Sequence, residues 1–147
     1  EPLSDIARRA VTRYRQTAKP RTVVTLDLTT PSPKVDMDPT EVELVVTNLV
    51  KNASQAASAQ TDEARVDVAV TADSDYAILT VKDNGPEISD EALNAIGNVG
   101  LTTKTNGLGL GVAIIRSLLE VHGASLTYRK HQPEGLTAVV KWPLSRD

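Results

Sequence analysis

Asn48 and Asn52 stand one helical turn apart in Asn-Leu-Val-Lys-Asn-Ala, and Gln55 continues their line at i+7. Asparagine is a poor helix residue, because its amide competes for backbone hydrogen bonds. Two of them beside an apolar stripe need a use, such as a packing hydrogen bond, a solvated face or a ligand. As ligands, the Asn52 carboxamide oxygen suits Mg²⁺, a hard cation that takes few protein oxygens and keeps several waters. Asn48 and Gln55 would line the same side. Further on, Asp83-Asn84-Gly85-Pro86 places a carboxylate at the end of a β-branched run. By itself this is turn chemistry. As a binding element, an acceptor-only carboxylate takes an amino group and rejects a carbonyl. Gly85 leaves room for a flat base, and Ile88 would wall it. The third segment is Gly107-Leu108-Gly109-Leu110-Gly111, running directly into Val112-Ala113-Ile114-Ile115. Free N–H groups at a helix start, with no Cβ in the way, form a cradle for phosphates. Just upstream, Thr102, Thr103 and Lys104 offer two hydroxyls and a cation for phosphate oxygens. Metal ligand, base acceptor and phosphate cradle together describe a nucleotide site.

Two common nucleotide folds are excluded by context. A dinucleotide-binding turn needs Gly-x-Gly-x-x-Gly after an early strand, with an acid about 20 residues on. Here the glycines come late and follow a polar loop. A Walker A loop ends in Gly-Lys-Ser or Gly-Lys-Thr, and neither occurs.

The elements that must hold these segments are legible from periodicity. Residues 3–17 place Ile6, Ala10, Val11 and Tyr14 at helical spacing with a basic opposite face, and Lys19-Pro20 ends the helix. Residues 22–28 form a strand, and 34–37 a short second one. Asp38-Pro39 reads as an N-cap acid followed by proline in the first helical position. The helix that follows, 39–58, carries the stripe Val42, Val45, Val46, Leu49, Val50, Ala53 and Ala57. Strands are expected at 65–72 and 76–82, a short helix at 89–96, and a helix from 108 to 121 stopped by Gly123. A hairpin pairs 124–130 with 136–142. This mixture predicts one α/β (α+β) two-layer sandwich over residues 1–147, a mixed sheet with helices packed on one face.

Composition narrows the class. The chain has 147 residues, 40% hydrophobic and 24% charged, which suits one compact domain. Net charge is −3, so no nucleic-acid partner is indicated. Cysteine is absent, which excludes disulfides and thiol chemistry and fits a reducing compartment. No apolar run is long enough to span a bilayer. The chain is expected to be cytoplasmic, by itself or as the cytoplasmic part of a membrane-anchored sensor. Phenylalanine is also absent, so the core must be built from Val, Leu, Ile and Ala.

The three segments in their order resemble the N, G1 and G2 boxes of the GHKL ATPases, which share the Bergerat fold. Over roughly residues 3–144 the chain is most similar to the catalytic domain of bacterial sensor histidine kinases. The resemblance implies ATP and Mg²⁺ as ligands. Asn52 holds the metal, Asp83 accepts the adenine amino group, and 107–111 cradle the phosphates. Thr102, Thr103 and Lys104 end an ATP lid. It also implies that Thr137, in Glu134-Gly135-Leu136-Thr137, reaches Asp83, often through water. The chain departs from the usual Asp-x-Gly-x-Gly at Glu87, and from the usual lid in lacking its aromatics. Hydrolases and serine kinases of the superfamily carry Glu at the position of Asn48. A carboxamide takes no proton at neutral pH, so a phosphotransferase is implied instead of a hydrolase. Asn48, Asn52 and Lys104 are its candidate catalytic residues. The nucleophile would be a histidine on a separate dimerisation domain, in cis or in trans, with a response regulator downstream. His122 and His131 lack the acidic neighbour of an acceptor histidine, and the chain alone is expected to be monomeric. The alternatives are a hydrolytic or serine-kinase member of the same fold, and a non-catalytic ATP-sensing module.

Overall fold

The computed structural model describes residues 2–17, 22–28, 32–60, 63–85, 89–91, 110–130 and 135–145. Chain order is α1 (Leu3–Thr17), β1 (Val23–Leu28), α2 (Pro39–Gln60), β2 (Arg65–Ala72), β3 (Tyr76–Asp83), α3 (Leu110–Val121), β4 (Ser125–Lys130) and β5 (Leu136–Pro143). The five strands form one sheet in the order β1-β2-β3-β5-β4. Among the described residues β1 and β2 run parallel, and the β2–β3, β3–β5 and β4–β5 pairs are antiparallel.

Sheet parity sets the layers. On β2 and β3, Val66, Val68, Val70, Ala77, Leu79, Val81 and Asp83 are buried, while the residues between them are half-buried or exposed. This period of two puts one face against the helices. On β5 the same face carries Ala138, Val140 and Trp142. Trp142 is among the largest fully buried side chains, and its Nε1 donates to the Met37 sulfur at 3.3 Å.

All seven residues of the predicted α2 stripe are buried. Its start is the predicted one: Thr40 N–H donates to Asp38 Oδ1 at 2.8 Å, and Val42 N–H to the Asp38 carbonyl at 3.0 Å. α1 packs on α2 through Leu3, Ile6, Ala7, Ala10 and Val11. The basic face of α1 is tied down as well: Arg9 and Arg13 both reach Glu43, at 2.6 and 2.5 Å. α3 buries Val112, Ile115 and Leu119 and ends at Gly123, whose φ is 72°. Gly123 N–H donates to Glu120 O and Ala124 N–H to Leu119 O, the two bonds of a Schellman stop.

The expected strand at 34–37 is absent. Lys34 and Val35 make only isolated bridges, to Pro2 and Leu144. Pro33 has no N–H to extend a ladder. Of the expected helix at 89–96, Asp90 and Glu91 are helical, and residues 92–96 lie outside the described residues. No helix among the described residues is long and apolar enough to cross a membrane.

Candidate functional site

The strand end at Asp83 splits three consecutive residues between three neighbours. Asp83 continues the buried face of β3 and is only 6% exposed. Its Oδ1 accepts the N–H of Gly85 at 2.8 Å and the N–H of Leu136 at 3.3 Å. Backbone donors of this kind stabilise the ionised carboxylate and fix its orientation. Asn84 turns the other way. Its Oδ1 accepts Arg65 N–H at 2.8 Å and its Nδ2 donates to Glu63 O at 3.0 Å, so it ties the end of β3 to the start of β2. Gly85 is pressed against α2. A Cβ there would lie 2.8 Å from Asp83 Oδ1 and 3.1 Å from the backbone and Cβ of Ala56. Glycine is needed for close approach, not for an unusual dihedral.

That approach brings the carboxylate to the polar line of α2, because Ala56 lies one turn beyond Asn52. Asn48 and Asn52 are half-buried and Gln55 is exposed. Asn48 Nδ2 donates to Leu44 O at 2.9 Å, which occupies its donor side and leaves its oxygen available. Among the described residues no three His, Cys, Asp or Glu side chains cluster as a metal site. A cation here would be held by carboxamide oxygen and by the phosphates of a nucleotide. That fits Mg²⁺, which needs few protein ligands. The carboxylate fits adenine as an acceptor, and the fold makes it a fixed and buried one. Substituting Gly85→Ala should force the turn off α2, cost about 1–3 kcal/mol of stability, and weaken nucleotide binding with it. Thermal melts with and without nucleotide would measure both losses.

The other acids near α2 are committed elsewhere. Glu43 holds Arg9 and Arg13. Glu41 Oε1 lies 3.6 Å from His122 Nε2 at the far end of α3. Glu43 is off the Asn48/Asn52 line, and Glu41 is on it but two turns before Asn48 and paired with His122, so neither stands where the glutamate would. His122 is a residue of the α3 terminus, with its N–H donated to Leu119 O.

The structure corrects one expectation. Thr137 does not face Asp83. It pairs with Lys82 on one side and Arg129 on the other, both exposed, so the pleat puts its side chain on the face opposite the helices. There it is 5% exposed, beside Val139. What reaches the carboxylate is the backbone N–H of the preceding residue, Leu136. Counting alternation back from Trp142 through Val140 and Ala138 would have found this.

Two further groups, Arg116 and Tyr128, carry no motif. Arg116 is 8% exposed in the apolar run of α3 and donates from Nη2 to Leu126 O at 3.0 Å. Burial pushes the Tyr128 phenol up to about 12; the nearby Arg116 guanidinium opposes this and the Asp83 carboxylate adds to it. Below pH 10 the phenol is neutral folded or unfolded. From pH 10 towards 12 only the unfolded chain ionises there, so stability falls with rising pH.

α3 is described from Leu110, two residues after the expected start at Leu108. Ile88, Thr102, Thr103, Lys104, Gly107, Leu108 and Gly109 lie outside the described residues.

Comparison with known proteins gives the family and the fold. Residues 37–146 match the family described as histidine kinase-, DNA gyrase B- and HSP90-like ATPase. Sporulation kinase A of Bacillus subtilis (strain 168) is 32% identical over 109 residues, covering 74% of this chain and 18% of that protein. The chain thus spans about a fifth of the length of the curated relatives it matches. Among solved structures, the catalytic domain of histidine kinase ThkA superposes with a TM-score of 0.84 at 23% identity, covering 97% of this chain and 93% of that one. ThkA in complex with the response regulator TrrA gives a TM-score of 0.82 at 20% identity, covering 99% of this chain and 41% of that one. With the motif order, the sheet and the family match in agreement, the chain belongs to the histidine kinase-, DNA gyrase B- and HSP90-like ATPase family.

Proposed function

We propose that this chain is the ATP-binding catalytic domain of a sensor histidine kinase. It binds ATP with Mg²⁺ and donates the γ-phosphoryl group to a histidine on a separate dimerisation domain. The phosphorylated histidine then serves a response regulator. The observation that carries the nucleotide reading is the buried Asp83, held by two backbone N–H groups where Gly85 presses on α2 at Ala56, one turn beyond Asn52.

Each residue has a limited task. Asp83 orients the base through its exocyclic amine. Asn52 is the protein oxygen for Mg²⁺, which would neutralise phosphate charge when bound. Asn48 and Gln55 line the phosphate side, with the α3 N-terminus supplying N–H groups. Thr102 and Thr103 would donate to phosphate oxygens, and Lys104 would neutralise charge on the γ-phosphate. Phosphoryl transfer depends mostly on such positioning and charge neutralisation.

Asn48 separates kinase from hydrolase. Water attack is helped by a base that accepts a proton, and a carboxamide does not accept one. A neutral imidazole nitrogen attacks with its own lone pair and needs no base from this chain. In that step the new N–P bond forms as the bond from the γ-phosphorus to the β,γ-bridging oxygen breaks, and ADP leaves. The relatives' names support the kinase branch: a sporulation kinase and several sensor histidine kinases. In isolation the chain is expected to be a monomer that hydrolyses ATP far more slowly than once per second. A steady-state phosphate-release assay measures this. Turnover at or above that rate would favour a hydrolytic member of the family. Tight ATP binding with no transfer to any acceptor-helix domain would favour an ATP-sensing module.

A further inference from the structure

One polar contact joins the two helices that carry the nucleotide segments. Glu41 Oε1, in the first turn of α2, lies 3.6 Å from His122 Nε2, directly after α3. The two side chains are 38% and 28% exposed, so the contact sits at the surface. Nε2 carries a proton in the imidazolium and in one neutral tautomer, so the carboxylate attracts it in either charge state.

The helix directions give this contact a consequence. α2 begins at the Tyr76 end of the sheet: Met37, two residues before it, takes the Trp142 N–H, and Trp142 pairs with Ala77. It reaches the Asp83 end at Ala56, where Gly85 presses on it. α3 runs the other way. Its stop is at Gly123, where an added Cβ would lie 3.8 Å from Pro143 Cγ, and Pro143 pairs with Tyr76. The chain then returns along β4, which runs in the same direction as β3. α2 and α3 are therefore antiparallel, and Glu41–His122 joins the start of one to the end of the other. From Glu41 to Asn52 is eleven residues, and from His122 back to Gly111 is eleven. At about 1.5 Å per residue, both spans are about 16–17 Å. The contact thus brings Asn52 level with the first turn of α3. Glu41 also shares the α2 line of Asn48, Asn52 and Gln55, so the line that meets α3 at one end meets it at the other.

We infer that Glu41 and His122 are a positioning pair that sets the axial register of α3 against α2, holding the metal-binding carboxamide opposite the phosphate-binding turn. The pair rests on the reading of those two segments as the nucleotide site. Neither residue touches the nucleotide. A slip of one residue along the axis is about 1.5 Å, and a misplacement of that size slows phosphoryl transfer severely. Each residue also suits its own helix end, an acid at the start of α2 and a histidine at the end of α3. Two such separate roles would add, whereas a shared contact is lost once.

The test is Glu41→Ala, His122→Ala and the double variant, each measured well below its melting temperature. Mg²⁺-ATP affinity should fall about 2–5-fold in each single variant, the range of a partly exposed ion pair. Phosphotransfer to an acceptor-helix domain should fall about tenfold. Adenosine, which has no phosphates to register, should bind as before. The double variant should be no worse than either single one. A bare charge effect predicts the opposite sign for Glu41→Ala, because removing an acid favours a polyanion. Unchanged Mg²⁺-ATP affinity and transfer in both single variants would overturn the inference. So would a loss in only one of them, an equal loss of adenosine affinity, or losses that add in the double variant. A wild-type chain that binds no ATP would overturn the site reading itself, and the role of the pair with it.

Discussion

Asp83→Asn should reduce ATP and ADP affinity by about 100-fold or more. The change is nearly isosteric, so its effect is chemical. Asp83 Oδ1 accepts from Gly85 N–H and Leu136 N–H. An asparagine has one oxygen and one NH₂ to offer in its place. If the oxygen keeps the two backbone donors, the NH₂ points at the base and meets another amino group. If the amide flips, its NH₂ meets two N–H groups. In both orientations a donor faces a donor in a site that water enters poorly, since Asp83 is 6% exposed. Bonds to charged groups contribute about 1.5–3 kcal/mol, and an unsatisfied buried donor adds a further penalty of similar size. Because the backbone ladder and the Asn84 side chain, and not the Asp83 side chain, tie β3 to β2, the fold should survive the change. Fluorescent-nucleotide titration and thermal melting separate the two effects. Normal ATP binding by this variant would remove Asp83 from the site.

Asn52→Ala should act on the other half of the reaction. Phosphotransfer to an acceptor-helix domain should fall by about a thousandfold, while adenosine affinity changes by less than about threefold. A Mg²⁺ ligand contributes little to the base contact but organises the charge that develops at the transferring phosphoryl group. The variant should fold, since alanine is the better helix former and the half-buried Asn52 is outside the α2 stripe. Single-turnover transfer measured against adenosine binding checks the split. Equal losses in both would mean that Asn52 supports the pocket instead of the metal.

The α2 stripe, the Asp38-Pro39 start and the Gly123 stop were legible because each depends on local chemistry within a turn of helix. The same holds for the assignment of Asp83 as a strand-end carboxylate. What was not legible depends on partners distant in sequence. That Asn84 would bond Glu63 and Arg65, or that Gly85 would be needed by Ala56, follows only from the sheet order and the placement of α2. Thr137 was misplaced by one residue. A motif carries residue types, whereas a strand assigns faces by parity, and the register to Lys82 and Arg129 settles the face. The strand expected at 34–37 reduced to two bridges, since Pro33 and the short span allow no ladder. Arg116 had a visible signal, a lone cation in Val-Ala-Ile-Ile-Arg-Ser-Leu-Leu, but its acceptor on Leu126 is a matter of tertiary packing.

The most direct test of the central claim is calorimetric titration of the chain with ATP and with ADP, each with and without Mg²⁺. The site described here predicts micromolar-range binding of both nucleotides, with the ATP affinity dependent on Mg²⁺. Absence of heat and of any nucleotide-induced rise in melting temperature would contradict it. The buried carboxylate and the asparagine line would then be features of the fold alone.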